Sequence, residues 1–234
     1  MAKRLVFIAE KERIGVTIQA IDFRFYTGFS ISQKQKSIES LHAEAGKLGI
    51  TKILEVSTKS KEELGVRLSA FILTAMTKKY GFEFTVERAF QASKVFEGGG
   101  PFRDLLEMTS SQAKTDPRLK TSGNLIGFRF CNYSFNKEPP TFFYDWLYIN
   151  TLLENSELIE SVSKYHAFSD IEFNQDKSIN CQAYSLALFN SLRSNGSRID
   201  ELRDPNSFLS TCLSEYSRRW GRDYSVSTQK ELDF

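Results

Sequence analysis

Three side chains between Glu87 and Lys94 have the types and spacing to do chemistry. At about 100° per residue, a helix through this stretch puts Glu87, Gln91 and Lys94 on one stripe roughly 60° wide. That stripe lies away from the apolar arc of Val86, Ala89, Phe90, Ser93 and Phe96. A carboxylate, an amide and an ammonium then project together. Glu87 falls in the first turn, where the helix dipole favours an anion, so it suits a base or a stabiliser of developing cationic charge better than a standing acid. The same spacing also describes a solvated face with an i,i+4 contact between Glu87 and Gln91. Farther along, Tyr165-His-Ala-Phe-Ser-Asp-Ile-Glu-Phe-Asn174 holds a second pair of acids. In a strand Asp170 and Glu172 share a face, in a turn they converge on a ligand, and Asp170 alone could make an Asx turn or a helix cap. Two cation groups complete the inventory. Lys34 and Lys36 oppose the dipole of an expected helix start, which implies a nearby anion unless they are simply solvated. Thr58-Lys-Ser-Lys61 offers hydroxyls and ammonium groups at a strand's C-terminal edge, where phosphates are held. The GxxxxGK[ST] spacing of a P-loop is absent.

The elements that must position these groups are readable from patterning. Leu5–Ala9 and Val16–Phe25 read as a hairpin of strands joined by a charged turn with Gly15. Ser32 is expected to cap a helix running to Leu48 before Gly49. Lys52–Ser57 is a β-rich run, and Leu68–Met76, within Leu64–Lys79, looks mostly buried. Thr85 is expected to cap the central helix, which ends at Gly98-Gly-Gly-Pro101. Short helical pieces over Phe102–Lys114, a loop over Thr115–Gly123 and a strand at Leu125–Phe130 follow. Glu138-Pro-Pro140 breaks the chain before an aromatic helix, Phe142-Phe-Tyr-Asp-Trp-Leu-Tyr-Ile149, in which Asp145 is a costly burial unless paired. Ser178–Leu192 reads as a buried helix, Asn206–Trp220 as a last amphipathic helix, and the residues after Gly221 as a frayed tail. With no repeat, low-complexity run or linker, one α+β domain is the economical arrangement.

The 234 residues are 41% hydrophobic and 26% charged, ordinary for a soluble globular protein. Twenty Phe exceed the needs of a minimal core and must line either a core or a ring-stacking pocket. Residues 1–120 carry 20 Lys+Arg against 14 Asp+Glu, and residues 121–234 carry 11 against 15. The first half can therefore take phosphate, though the imbalance is too small to define a nucleic-acid protein. No run reaches membrane-spanning length and the start is too soon acidic for a signal peptide, so a cytoplasmic protein with no membrane association is expected. Cys131, Cys181 and Cys212 suggest neither a disulfide framework nor a CxxC site, and His42 and His166 could not build a His-rich metal site. No metal and no cofactor is implied.

Several separated stretches carry a family resemblance. Val86-Glu-Arg-Ala-Phe-Gln-Ala-Ser-Lys94 resembles the central helix of the NADAR (YbiA-like) superfamily. Gly28-Phe-Ser with Gln33-Lys-Gln-Lys-Ser37, Leu54-Glu-Val-Ser-Thr-Lys-Ser60, Leu68-Ser-Ala-Phe71, Phe143-Tyr-Asp-Trp-Leu-Tyr148 and Phe168–Asn174 through Ser178–Ala183 are similar to the NADAR antitoxins that accompany DarT-type DNA ADP-ribosyltransferase toxins. The resemblance covers residues 3–193 in order. It departs at Tyr26, where Trp is expected, at Ile72, where a polar Asn is usual, and at Gln175, where Pro is common. It implies a mostly helical NADAR-like domain with a small β-sheet over residues 1–193, with 194–234 as a C-terminal helix and tail packed on it.

The resemblance further implies an N-glycosidase that removes ADP-ribose from guanine bases in DNA, an antitoxin to a DarT-type toxin. More distant relatives cleave riboflavin-pathway nucleotides, which leaves a small-nucleotide glycosidase open, as does a non-catalytic ADP-ribose-binding module. The partners implied are ADP-ribosylated DNA, ADP-ribose and the cognate toxin. Breaking a ribosyl C1–N bond needs an anion near the sugar and a proton donor near the base. Glu87 and Asp170 are the pair expected to supply them, in either order, and Lys94 or Lys59 could instead capture C1 as an imine if burial removed its proton. Lys94, beside Glu87, is expected to stay charged. The ligand contacts implied are Phe29, Ser30, Lys34, Lys36, Lys59, Ser60, Gln91, Trp146, Asn174 and Asn180, with Phe29 and Trp146 stacking on bases and the lysines holding phosphates.

Overall fold

The computed structural model describes residues 1–77 and 81–225. The end of the expected Leu64–Lys79 segment and most of the expected tail, residues 226–234, lie outside the described residues. The architecture is α+β, divided into two units.

The first unit comprises Met1–Ile72 and Asn155–Arg198. The expected hairpin forms from β1 (Ala2–Ala9) and β2 (Val16–Phe23), antiparallel with Ala9 opposite Val16 and Ala2 opposite Phe23. β1 also pairs antiparallel with β9 (Ala167–Ser169), which pairs in parallel with β3 (Ile53–Glu55), giving the order β2-β1-β9-β3. Alternation along β1 sends neighbouring side chains to opposite faces. Val6 joins Ile21, Phe23 and Ala167 against Ile38, Leu41 and Ala45 of α1 (Ile31–Lys47). Phe7 meets Tyr184 of α8 (Gln182–Ser194) edge-on, ring centroids 5.9 Å apart. A helix therefore covers each face. This explains why all three residues of β9, Ser169 included, are buried. The cap of α1 is Ser30, whose hydroxyl accepts from Gln33 N at 3.3 Å, not the expected Ser32, which lies inside the helix. α8 starts at Gln182, four residues after the expected Ser178. A short helix α2 (Glu63–Arg67) follows β3, and α7 (Ser156–Val162) opens the return of the chain to this unit.

The second unit comprises Leu73–Glu154 and the described residues from Ile199 onward. β4 (Thr74–Met76) and β5 (Glu83–Thr85) pair antiparallel, so Leu68–Met76 is only partly buried, with Ile72 and Met76 exposed. Thr85 then caps α3 (Val86–Ala92) as expected, accepting from Arg88 N at 3.2 Å. The helix stops well short of the glycines. Ser93 bonds back to Ala89 O at 2.6 Å, and Lys94 opens β6 (Lys94–Phe96), which pairs with β7 (Leu125–Phe130), itself paired to β8 (Tyr133–Asn136). Cross-strand pairing outweighs the local helical pattern here. α4 (Ser110–Thr115) carries a capping box at Thr109 and Gln112, and the expected 115–123 loop contains a one-turn helix, α5 (Arg118–Thr121). All of α6 (Phe142–Leu153) except Asn150 is buried. Phe90, Phe128, Phe135 and Trp146 gather around its Phe143, with centroids 4.6 Å apart for Phe128 and 4.7 Å for Phe135. Ring pairs of this kind contribute about 0.5–1.5 kcal/mol each beyond area burial. Much of the phenylalanine surplus is therefore core. α9 (Pro205–Trp220), capped by Asp204, brings Phe208 and Tyr216 against Phe142. The fully buried Asp145 is paired as its burial demands, accepting from Thr141 Oγ1 at 2.8 Å and Tyr216 Oη at 3.2 Å.

Candidate functional site

In the second unit, α3 carries Glu87 and Gln91 inward. Glu87 is only 6% exposed, and Gln91 Nε2 donates to its Oε1 at 2.8 Å. The solvated-face reading of this stripe is thus overturned, although its i,i+4 contact exists. Lys94 reaches the same group from β6 rather than from the helix, so helical spacing does not account for its position there. Its ammonium stands over the Phe90 ring, 4.7 Å from the centroid. Burial pushes the Lys94 amine down to about 8; Glu87 opposes that fall and Lys114 adds to it. Desolvation outweighs the single carboxylate in moving the amine down, yet at about 8 Lys94 still carries its charge in most molecules at pH 7, in line with the expectation that it stays charged beside Glu87. Lys114 of α4 reaches Glu87 Oε1 at 3.9 Å. With two ammonium groups beside one carboxylate, this cluster opposes a divalent cation and favours an anionic ligand. Gln91 Oε1 is buried with no hydrogen-bond partner among the described residues. A buried acceptor in this state costs roughly 1–3 kcal/mol and is relieved by a ligand hydroxyl or N–H.

In the first unit, β9 ends at Ser169 and Asp170 turns away, so the strand reading of Asp170 and Glu172 does not hold. Asp170 Oδ1 accepts from Glu172 N at 3.0 Å, the Asx-turn alternative, and Oδ2 accepts from Gln182 Nε2 at 2.9 Å. Asp170 is 8% exposed. Burial, and next the neighbouring Glu55 carboxylate, push it up to about 8. Glu55, at the end of β3, accepts from Ser57 Oγ at 2.7 Å, Ser169 Oγ at 2.6 Å and Ile171 N at 2.8 Å. Burial raises Glu55 as well, and those three donors oppose the rise. His42 Nε2 lies 2.8 Å from Ser169 Oγ, and burial pushes its imidazole down to about 4. Neutral His42 therefore donates through Nε2–H to Ser169, which donates onward to Glu55.

The remaining expected contacts fare unevenly. Trp146 is corrected from a base-stacking platform to a core residue: it is buried among Phe130, Tyr133, Phe135 and Phe143, and its indole N–H donates to Arg203 O at 3.2 Å. Ser30 Oγ accepts from Gln33 N in the helix cap, and Ser60, buried, accepts from Glu62 N at 3.1 Å; neither bond uses the hydroxyl's own proton. Lys34 is paired with Glu172 at 2.9 Å, whereas Lys36 is exposed and Lys59 is half-buried. Phe29 is fully exposed. Asn174 closes an Asx turn on Asp176 N at 2.9 Å, and Asn180 is half-buried. The sequence reading missed Glu55, His42, Gln182 and Lys114. Glu55 had a signal, a lone carboxylate inside the apolar run Ile-Leu-Glu-Val; Lys114, a surface lysine on another helix, had none.

The mixed α+β fold agrees with the helical domain and small β-sheet that the NADAR resemblance implies, with Glu87 and Gln91 buried on the short capped helix α3 and Lys94 just beyond it. The chain matches the family model for the DarT1-associated NADAR antitoxin over residues 2–220. It belongs to that family of toxin-associated antitoxins. No curated protein matches the chain. Among the described residues no helix is long and apolar enough to cross a membrane.

Proposed function

We propose that this antitoxin acts as an N-glycosidase, releasing ADP-ribose from guanine bases in DNA and so reversing a DarT-type toxin. The observation that carries the reading is the buried Glu87–Gln91 pair with its unpartnered Gln91 Oε1, flanked by Lys94 and Lys114. As the C1–N bond breaks, positive charge grows at C1 and Glu87 supplies the opposing anion. Gln91 Oε1 accepts a ribose hydroxyl or a base N–H, and the two lysines favour a ligand bearing phosphates. The departing guanine amine needs a proton, and Asp170, whose surroundings keep it protonated near neutrality, is assigned that role. Turnover by Asp170→Asn tests the assignment separately from Glu87.

One observation favours a second route at the same bond. A Lys94 amine near 8 is neutral in a sizeable fraction of molecules at slightly alkaline pH. Once the ribose ring opens, that amine can take C1 as an imine while the guanine amine leaves with a proton, and water then restores the aldehyde. Borohydride added during turnover separates the routes: a covalent adduct lost in Lys94→Arg supports the imine, and its absence supports direct hydrolysis.

Incubation with ADP-ribosylated single-stranded DNA tests the activity itself. Release of ADP-ribose supports the glycosidase, retention without release marks a reader, and toxin co-purification without turnover marks sequestration. Faster turnover of a small riboflavin-pathway nucleotide than of modified DNA would reassign the substrate.

A further inference from the structure

The acid assigned to the leaving base does not stand alone. At the parallel junction of β3 and β9, Glu55 and Asp170 share one water-poor environment. Two carboxylates so placed hold a single negative charge between them more readily than two. Their partners decide which one carries it. Glu55 accepts from two hydroxyls and a backbone N–H, all within 2.8 Å. Asp170 accepts from one backbone N–H and one amide, each at 2.9 Å or longer. Charge-assisted bonds to an ionised oxygen are about twice as strong as neutral ones, so the longer and shorter sets are not equivalent. The wider surroundings agree. His42 of α1 reaches Glu55 only through Ser169 and does so as a neutral donor. Gln182 of α8 is fully used, its Nε2 on Asp170 and on Val56 O, its Oε1 accepting from Ala70 N at 2.6 Å. Glu172, the other facing charge, pushes both acids up and so does not choose between them, and it is itself paired with Lys34 at 2.9 Å.

We propose that Glu55 is a positioning residue for the glycosidase: it holds the one buried negative charge of this unit and thereby keeps the proton on Asp170. The inference rests on the proposed reaction for its purpose, but its physical content is independent of turnover. Ser57, Ser169 and the Ile171 N–H fix Glu55, and the sequence Ser169-Asp-Ile171 ties Asp170 to that same anchor. His42 completes the donor chain and, being neutral above about pH 4, leaves the charge on Glu55 uncompensated.

Carboxyl 13C shifts followed against pH in the full-length protein test this. In the wild type, the Glu55 carboxyl should be ionised at pH 7 while the Asp170 carboxyl is still mostly protonated; a protonated Glu55 beside an ionised Asp170 would overturn the proposal without any variant. In Glu55→Gln the Asp170 midpoint should fall by roughly one pH unit or more, because the neighbouring charge is gone. An unchanged midpoint in a folded Glu55→Gln protein would equally overturn it. With modified DNA as substrate, the alkaline limb of the pH–rate profile should move down by the same interval in that variant. If neither protein releases ADP-ribose, the glycosidase reading fails while the carboxyl titration still decides the pair.

Discussion

Glu87→Gln is the sharpest perturbation of the proposed centre. It keeps the shape and the acceptor that Gln91 Nε2 uses at 2.8 Å, so the fold should tolerate it with a melting shift of no more than about 3 °C. It removes the charge that would face the developing cation. An anion about 4 Å from a unit positive charge gains about 4 kcal/mol at an effective dielectric near 20, equivalent to ~10³-fold in rate. Lys114, 3.9 Å from Glu87 Oε1, already neutralises part of that field, so the expected loss lies at about 10²–10³-fold. Single-turnover release of ADP-ribose from a modified single-stranded oligonucleotide reads it, with binding measured in parallel. Binding should survive, since the lost interaction matters most where charge develops. The imine route responds differently. Glu87 holds the Lys94 amine up, so its removal leaves Lys94 more readily deprotonated and would spare or raise adduct formation. A Glu87→Gln rate within about threefold of wild type would refute the electrostatic reasoning.

Asp170 is raised in the folded chain from an ordinary carboxylate value to about 8, so the stability it contributes is fully present below its unfolded range and is lost as pH rises toward 8; urea unfolding of the wild type should show this decline between about pH 4 and 8, and Asp170→Asn should flatten it. Lys34→Ala with Lys36→Ala should lower the salt slope for modified single-stranded DNA by about 0.7 rather than the ~1.4 of two free cations, because Glu172 already occupies Lys34; titration at several ionic strengths measures it, and an unchanged slope would leave these lysines outside the DNA path. Gly65→Ala should cost about 3 kcal/mol or more, since its Cβ would sit 2.0 Å from Glu55 O and 2.5 Å from Ser60 Oγ; a urea midpoint unchanged to within ~0.5 kcal/mol would contradict the close approach of α2 to β3.

How much of this was legible beforehand follows from which interactions are local. The β1–β2 hairpin, the Thr85 cap and the α6 and α9 helices are written in short-range patterning and were read correctly or to within a few residues. The end of α3 was not, because Lys94–Phe96 is recruited by a strand some thirty residues later in the chain, and local sequence carries no record of that partner. Glu87 and Gln91 were legible as a pair but not as a buried pair, since burial depends on what covers them. Asp170 was found through family resemblance and an acid spacing that turned out to serve a turn. Its true environment depends on Glu55, 115 positions upstream, which only the parallel β3–β9 pairing brings beside it.

The two acids, each within its own unit, have contrasting surroundings. Glu87 lies against an amide donor and two ammonium groups, so its neighbours reward negative charge. Asp170 lies beside another carboxylate that has taken the better donors, so its neighbours reward a proton. Chemically similar side chains are thus given opposite behaviours by their environments alone. An amine kept near neutrality by burial, yet held back from full deprotonation by Glu87, can serve phosphate recognition when charged and carbon capture when not. The balance turns on Lys114, which lowers Lys94 and pairs with Glu87 at once. Lys114→Ala should therefore weaken ligand binding while moving the Lys94 titration upward, two opposite consequences that an exposed lysine with no part in the cluster would not produce.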